Sequence, residues 1–219
     1  MVVTNWPSSS QGKELVLFPL FLKLAGRRCL VVGAGKIAEG KIESLLAAEA
    51  RIRVVAPRST QTIQRWVREE RVSWDARPFE PADLERVSLV ITASNSETVN
   101  HRVFQEASAH GVLCNSVDDP EHCDFYYPAV VRRGPLQIAI STGGNSPALA
   151  QRLRRELEEQ FVPEYEGWVR SLGEARASLF ARTLSLHQRR SWLHIIASDW
   201  SFEKFRGKGR KSLRSGRSG

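Results

Sequence analysis

Gly33, Gly35 and Ala38 stand at Gly-x-Gly-x-x-Ala spacing, directly after the apolar run Cys29-Leu30-Val31-Val32. At a strand-to-helix turn this spacing suits a dinucleotide. The first glycine permits the tight turn, and the second keeps side chains away from a pyrophosphate. A small third residue lets helix and strand pack closely, and the helix N-terminus offers unpaired N–H groups to the phosphates. A second stretch, Asn115-Ser116-Val117-Asp118-Asp119-Pro120, follows another apolar run. A carboxylate there could accept a proton or hold a polar substrate; equally, Asp118 or Asp119 could simply start the turn before Pro120. The third stretch is Ser141-Thr142-Gly143-Gly144-Asn145-Ser146-Pro147. Small residues and backbone amides before a helix make an anion receptor, or no more than the turn that starts the helix.

These residues need a frame, and the periodicity supplies one. Strands are expected at Arg28–Val32, Arg51–Ala56, Val72–Phe79, Leu89–Ala93 and Val112–Val117, with helices between them. The glycine-turn helix carries Ala38, Ile42, Leu45 and Leu46 on one face; the next, capped by Ser59 or Thr60, buries Ile63, Trp66 and Val67; a third is capped by Ser96. Alternating strands and helices argue for a doubly wound parallel sheet of Rossmann type, with ligands at the carboxyl ends of the strands. That places the cofactor near Gly33, Gly35, Lys36 and Ile37, near Pro57 and Arg58, and near Thr92 and Ala93. The pattern then changes: Phe125–Val131 and Leu136–Ile140 read as a β-hairpin, and helices follow from Pro147 to about Phe205. The expected division is a dinucleotide-binding domain over 1–117, a central segment over 118–148, a helical domain over 149–205 and a disordered basic tail over 206–219. The apolar stretch Leu15–Leu24 is expected to pack on the sheet.

The second strand ends Val55-Ala56-Pro57-Arg58, without the Asp or Glu that usually holds the ribose hydroxyls of NAD. Arg58 could instead meet a 2′-phosphate, which leans the local reading toward NADP, or be a solvated loop arginine. His122-Cys123-Asp124 lacks metal-ligand spacing, and no metal is expected. Three cysteines with no pairing pattern, no signal peptide and no apolar run long enough to span a bilayer point to a cytoplasmic protein without a membrane partner. The net charge of +8 is concentrated at the end: the seven basic residues from Lys204 onward leave about +1 for the rest. A solubilising tail is favoured over a nucleic-acid patch.

Taken in order, FPLFLKLAGRRCLVVGAGKIAEGK, VVAP, ITASNSETVN, CNSVDDP and FYYPAVVRRGPLQIAISTGGNSPALA resemble one family, the precorrin-2 dehydrogenase part of siroheme synthase, over roughly residues 15–165. The resemblance implies NAD-dependent oxidation of precorrin-2 to sirohydrochlorin, a homodimer formed through the central segment, and in some relatives iron insertion as well. It implies NAD rather than NADP. Lys36, Ile37, Pro57 and Arg58 fall where the family touches the dinucleotide, and Asp118 falls on its functional aspartate. A tetrapyrrole rich in carboxylates would suit arginines, so Arg132 and Arg133, with Ser141, Thr142, Asn145 and Ser146, are the expected substrate contacts. Thr142 stands where some members carry a serine. The rival readings are a nucleotide-sensing Rossmann regulatory module and a chelatase without dehydrogenase activity. Trp192 and Trp200 are expected to pack within the helical domain.

Overall fold

The apolar runs that alternate with amphipathic stretches form five parallel strands: β1 (Arg28–Val32), β2 (Arg51–Val55), β3 (Ser73–Asp75), β4 (Leu89–Thr92) and β5 (Leu113–Ser116). The computed structural model describes residues 16–183 and 185–215, with side chains through Arg206. The sheet order is β3-β2-β1-β4-β5, with β1 at the centre. Its register aligns Val32 with both Val55 and Thr92, and Thr92 with Ser116, so four strand ends lie at one level. Helices α1 (Lys36–Ala47), α2 (Gln61–Arg68) and α3 (Glu97–Ala109) connect them. Each face of the sheet is buried. Val31, Val54 and Ile91 pack with Ile42 and Ile63 on one side, and Leu30, Val32 and Val90 pack with Val103 and Cys114 on the other. Strands covered on both faces read as continuous apolar runs, which is why these were visible in the sequence.

Two compact units divide between Tyr127 and Pro128, later than the expected boundary at 118. Residues after β5 fold back on their own strand. Cys114 N donates to Asp124 Oδ2 (2.8 Å), Asp124 N to Cys114 O (2.8 Å), and Asn115 Nδ2 to the Phe125 carbonyl (2.8 Å). The second unit holds the antiparallel pair β6 (Ala129–Arg133) and β7 (Leu136–Ile140), then α4 (Pro147–Gln160), α5 (Tyr165–Phe180), α6 (Leu186–Ile196) and α7 (Asp199–Ser215). Its aromatic cluster joins Phe161, Tyr165, Trp168 and Phe202.

Four expectations are corrected. β3 stops at Asp75, because Pro78 and Pro81 cannot continue a ladder and Arg77 turns toward Asp83. Of the expected Leu15–Leu24 stretch, Leu15 lies outside the described residues; from Val16 to Leu22 the chain forms neither strand nor helix and is mostly exposed, 89% at Val16 and 84% at Phe18, and among the described residues of the stretch Leu24 packs on the core. Helix α7 continues to Ser215 where a disordered tail was expected from 206; residues 216–219 lie outside the described residues. Trp192 and Trp200 are half or more exposed (50% and 63%), and Trp168 with Phe202 takes the packing role. Among the described residues no helix is long and apolar enough to cross a membrane.

Candidate active site

Gly33, Ala34, Gly35, Ala56, Pro57, Arg58, Ser59, Thr60, Ala93, Ser94 and Asn95 line one cleft at the carboxyl ends of β1, β2 and β4. Gly33 adopts φ +105°, and a Cβ there would lie 2.6 Å from Ala93 C and 2.9 Å from Ser94 N. Only glycine allows β1 to turn this close to the β4 loop. At Gly35 a Cβ would meet no protein atom within 4 Å, so its side is open toward the cleft. Gly35 is also the N-cap of α1 and supplies no side-chain cap, which leaves first-turn N–H groups free for a ligand. The Ser59 hydroxyl is buried without a hydrogen-bond partner among the described residues. Open space, an uncapped helix end and an orphaned hydroxyl in one cleft fit a polar, anionic dinucleotide.

Of the expected cofactor residues, Gly33, Gly35, Pro57, Arg58 and Ala93 line this cleft. Lys36 and Ile37 sit beside it on the first turn of α1; Lys36 pairs with Glu39 (2.6 Å), and Ile37 is exposed. Thr92 is corrected from a contact residue to a support. It is fully buried, and its hydroxyl donates to Asn100 Oδ1. Asn100, which the sequence reading missed, also accepts from Ser94 N (3.2 Å) and donates to Ser94 O (3.0 Å). This buried amide fixes the loop that forms the cleft wall. Its only sequence signal is a polar residue on the buried face of α3.

Asp118 follows β5 in the left-handed region, at φ +63°, a conformation Asp tolerates better than most residues. Its carboxylate is exposed. The turn is held from below: the Cys123 thiol donates to Ser116 O (3.1 Å) and Asp119 O (3.2 Å), and His122 Nδ1 lies 2.6 Å from Asp119 Oδ2. Burial pushes the Cys123 thiol up, so it stays a neutral donor. The Ser116 hydroxyl beside this turn is a second buried group without a partner among the described residues. Lys41 of α1 places its ammonium 3.7 Å from the centre of the Tyr127 ring, in the field of Asp118 and Cys123. Lys41 was also missed, because everything it meets is distant in sequence.

In the second unit, Arg133 is corrected from an expected substrate contact to a helix cap. Its guanidinium donates to the carbonyls of Phe161 (2.6 Å) and Glu158 (2.8 Å), satisfying the end of α4, and to that of Arg132 in its own strand (2.9 Å). Arg132 is exposed. The Ser141–Ser146 loop turns its side chains on itself. Ser141 Oγ accepts from Gly143 N (3.1 Å), Thr142 Oγ1 from Ser146 N (3.0 Å) and Ser146 Oγ from Leu149 N (3.2 Å), while Asn145 Nδ2 donates to Thr142 O (2.9 Å). Ser146 and Pro147 start α4 as N-cap and first helical residue, as expected.

A parallel sheet in this order, with a glycine turn at its central strand and an uncapped helix above it, defines a dinucleotide-binding fold of Rossmann type. Residues 20–129 match the family described as putative NAD(P)-binding, and residues 133–160 match sirohaem biosynthesis protein central. The chain is 36% identical over 174 residues to siroheme synthase of Photorhabdus laumondii, covering 80% of this chain and 37% of that protein. It is 40% identical over 172 residues to siroheme synthase of Methylobacillus flagellatus, covering 78% and 37%. It thus spans little more than a third of the length of these relatives. A solved structure, SirC, precorrin-2 dehydrogenase, superposes with a TM-score of 0.73 at 27% identity, covering 89% of this chain and 100% of that one. The chain belongs to the putative NAD(P)-binding family, whose model matches half of it.

Proposed function

We propose that this chain is an NAD-dependent precorrin-2 dehydrogenase of the cytoplasm, oxidising precorrin-2 to sirohydrochlorin in siroheme biosynthesis. The observation that carries the reading is the likeness to SirC across that whole chain, joined to a dinucleotide cleft with an exposed aspartate at a neighbouring strand end. A bound nicotinamide cofactor would supply the hydride acceptor for the oxidation of the tetrapyrrole. Gly33, Gly35 and the N-terminus of α1 would hold its phosphates, and the β4 loop pinned by Asn100 would form one wall. Asp118 would accept the proton that leaves with the hydride, or orient the macrocycle, from a turn stapled by Cys123. Arg132 and the Ser141–Ser146 loop stay as candidate contacts for substrate carboxylates; Arg133 does not. A homodimer belongs to the same reading, and the exposed Leu149 and Phe180 of the second unit are surfaces a second copy would cover. NAD is preferred over NADP on the family resemblance alone, against Arg58 at the cleft.

The test is anaerobic: purified protein with precorrin-2, its visible spectrum followed before and after NAD is added. Conversion to sirohydrochlorin only after NAD supports the reading. No conversion while NAD still binds removes it and leaves a binding module or a chelatase. Asp118→Asn tests the aspartate, since Asn also tolerates the left-handed backbone. The variant should bind NAD within about twofold of wild type and lose most of its turnover, roughly 100-fold or more for a proton acceptor. Unchanged turnover removes Asp118 from the mechanism.

A further inference from the structure

Lys41 is the cation on α1 that faces the Asp118 turn without being paired to it. Its ammonium stacks on Tyr127 at 3.7 Å and lies in the field of Asp118 and Cys123, yet it makes no hydrogen bond or ion pair among the described residues. Half-buried lysines normally find an anion, because lost hydration must be replaced. A tyrosine face replaces part of it, and the ring also holds the ammonium in one place. Lys36, one and a half turns earlier, is the contrast: highly exposed and already matched to Glu39. Lys41 is therefore a cation held on an aromatic face, within the electrostatic reach of Asp118 and without an anionic partner among the described residues.

We propose that Lys41 anchors the substrate: its ammonium receives a peripheral carboxylate of the tetrapyrrole and so sets the ring beside Asp118. This rests on the dehydrogenase reading above. The chemistry is that of an ammonium–carboxylate hydrogen bond, made stronger where water is partly excluded. Burial lowers the Lys41 pKa from the ordinary lysine value, opposed by the Asp118 charge. The titratable groups facing it are Asp118 and Cys123 from the loop after β5 and Tyr127 at the end of the unit, with Cys29 of β1 behind Tyr127. Since only the protonated form binds a carboxylate, substrate affinity should fall as pH rises through this lowered value, below where an ordinary lysine would titrate.

The experiment compares wild type, Lys41→Met and Lys41→Arg in anaerobic steady state with precorrin-2, alongside NAD affinity and thermal unfolding. Lys41→Met should raise KM for precorrin-2 about tenfold or more, the size expected for one charged hydrogen bond, with kcat and NAD affinity within about threefold. Lys41→Arg should recover most of the KM and carry the affinity to higher pH than wild type, because guanidinium does not deprotonate there. An unchanged KM in Lys41→Met overturns the proposal. So does a kcat loss at unchanged KM, which would make Lys41 a positioning residue for Asp118. A KM defect that Lys41→Arg fails to recover while unfolding shifts in both variants also overturns it, in favour of packing on Tyr127. Wild type that neither oxidises nor binds precorrin-2 would fail the dehydrogenase reading itself, a result separable from any comparison of variants.

Discussion

Replacing Gly33 with alanine separates folding from cofactor binding when it is set beside the same change at Gly35. At Gly33 two costs combine. A φ of +105° is strained for any L side chain, by about 1–3 kcal/mol. The new Cβ would also stand 2.6 Å from Ala93 C and 2.9 Å from Ser94 N. Both neighbours are backbone, in a loop fixed by Asn100, so they yield only by moving the end of β4; such overpacking costs about 1–3 kcal/mol. The sum, about 2–6 kcal/mol, is a large part of the 5–15 kcal/mol typical of a whole domain. In urea, with a slope of about 2 kcal/mol per molar, the midpoint should fall by about 1 M or more. Circular dichroism reads this without cofactor.

Gly35→Ala should do the opposite. Its φ is −84° and its Cβ would meet nothing in the protein, so stability should change by no more than about 1 kcal/mol, the ordinary cost of a poor N-cap. The methyl would occupy the cleft, and NAD affinity should drop about tenfold or more. A Gly33→Ala midpoint within about 0.3 M of wild type, at unchanged slope, would refute the argument that Gly33 is fixed by the β4 loop.

Two further outcomes concern charged side chains. Arg133→Ala should destabilise the second unit by about 1.5–3 kcal/mol, as carbonyls at the end of α4 lose charged donors, and leave KM for precorrin-2 unchanged. A raised KM at unchanged stability would return Arg133 to the substrate. Asp83 is buried, which works against its charge, but hydrogen bonds from Arg77 and Glu80 N outweigh this and hold its carboxyl below the usual range. A depressed native pKa gives stability that is complete above the unfolded carboxylate value, near 4, and is lost as pH falls further. Asp83→Asn should therefore be less stable at neutral pH and show a flatter acid limb in urea midpoints measured from about pH 6 to 3; a parallel limb would contradict it.

What the sequence made legible was local. β1, the glycine turn and α1 are contiguous, and each carries its own reason: an apolar run, a residue that tolerates positive φ, and a 3.6-residue stripe. The Ser146-Pro147 start of α4 is equally self-contained. Failures came where a partner lies far along the chain. Arg133 has the charge of an anion receptor, and only the return of α4 shows that its donors are taken by Glu158 and Phe161. Thr92 sits at the right strand end, but α3 brings Asn100 over it. Lys41 lies among helix residues that give no hint of Tyr127 or Asp118. The apolar residues from Val16 to Leu22 predict burial by composition, yet no strand among the described residues accepts them.

The proposed chemistry depends on register as much as on residue type. Val32 pairs with Thr92, and Thr92 with Ser116, so the glycine turn and the Asp118 turn leave the sheet at the same height. Two strand spacings separate β1 from β5, roughly 10 Å. A dinucleotide held by its phosphates at the first turn can extend across that interval only if the strand between does not obstruct it. At β4 the chain meets this need by burying Thr92 and leaving Ala93 and Ser94 in the cleft wall. Asn100 is what keeps that order, since it satisfies Thr92 and Ser94 at once. A slip of one residue in β4 would reverse its faces, putting a polar Thr in the cleft and an apolar Ile at the loop. The cleft, the wall and the aspartate therefore stand or fall together, which is why a single buried amide on α3 matters to a reaction it never touches.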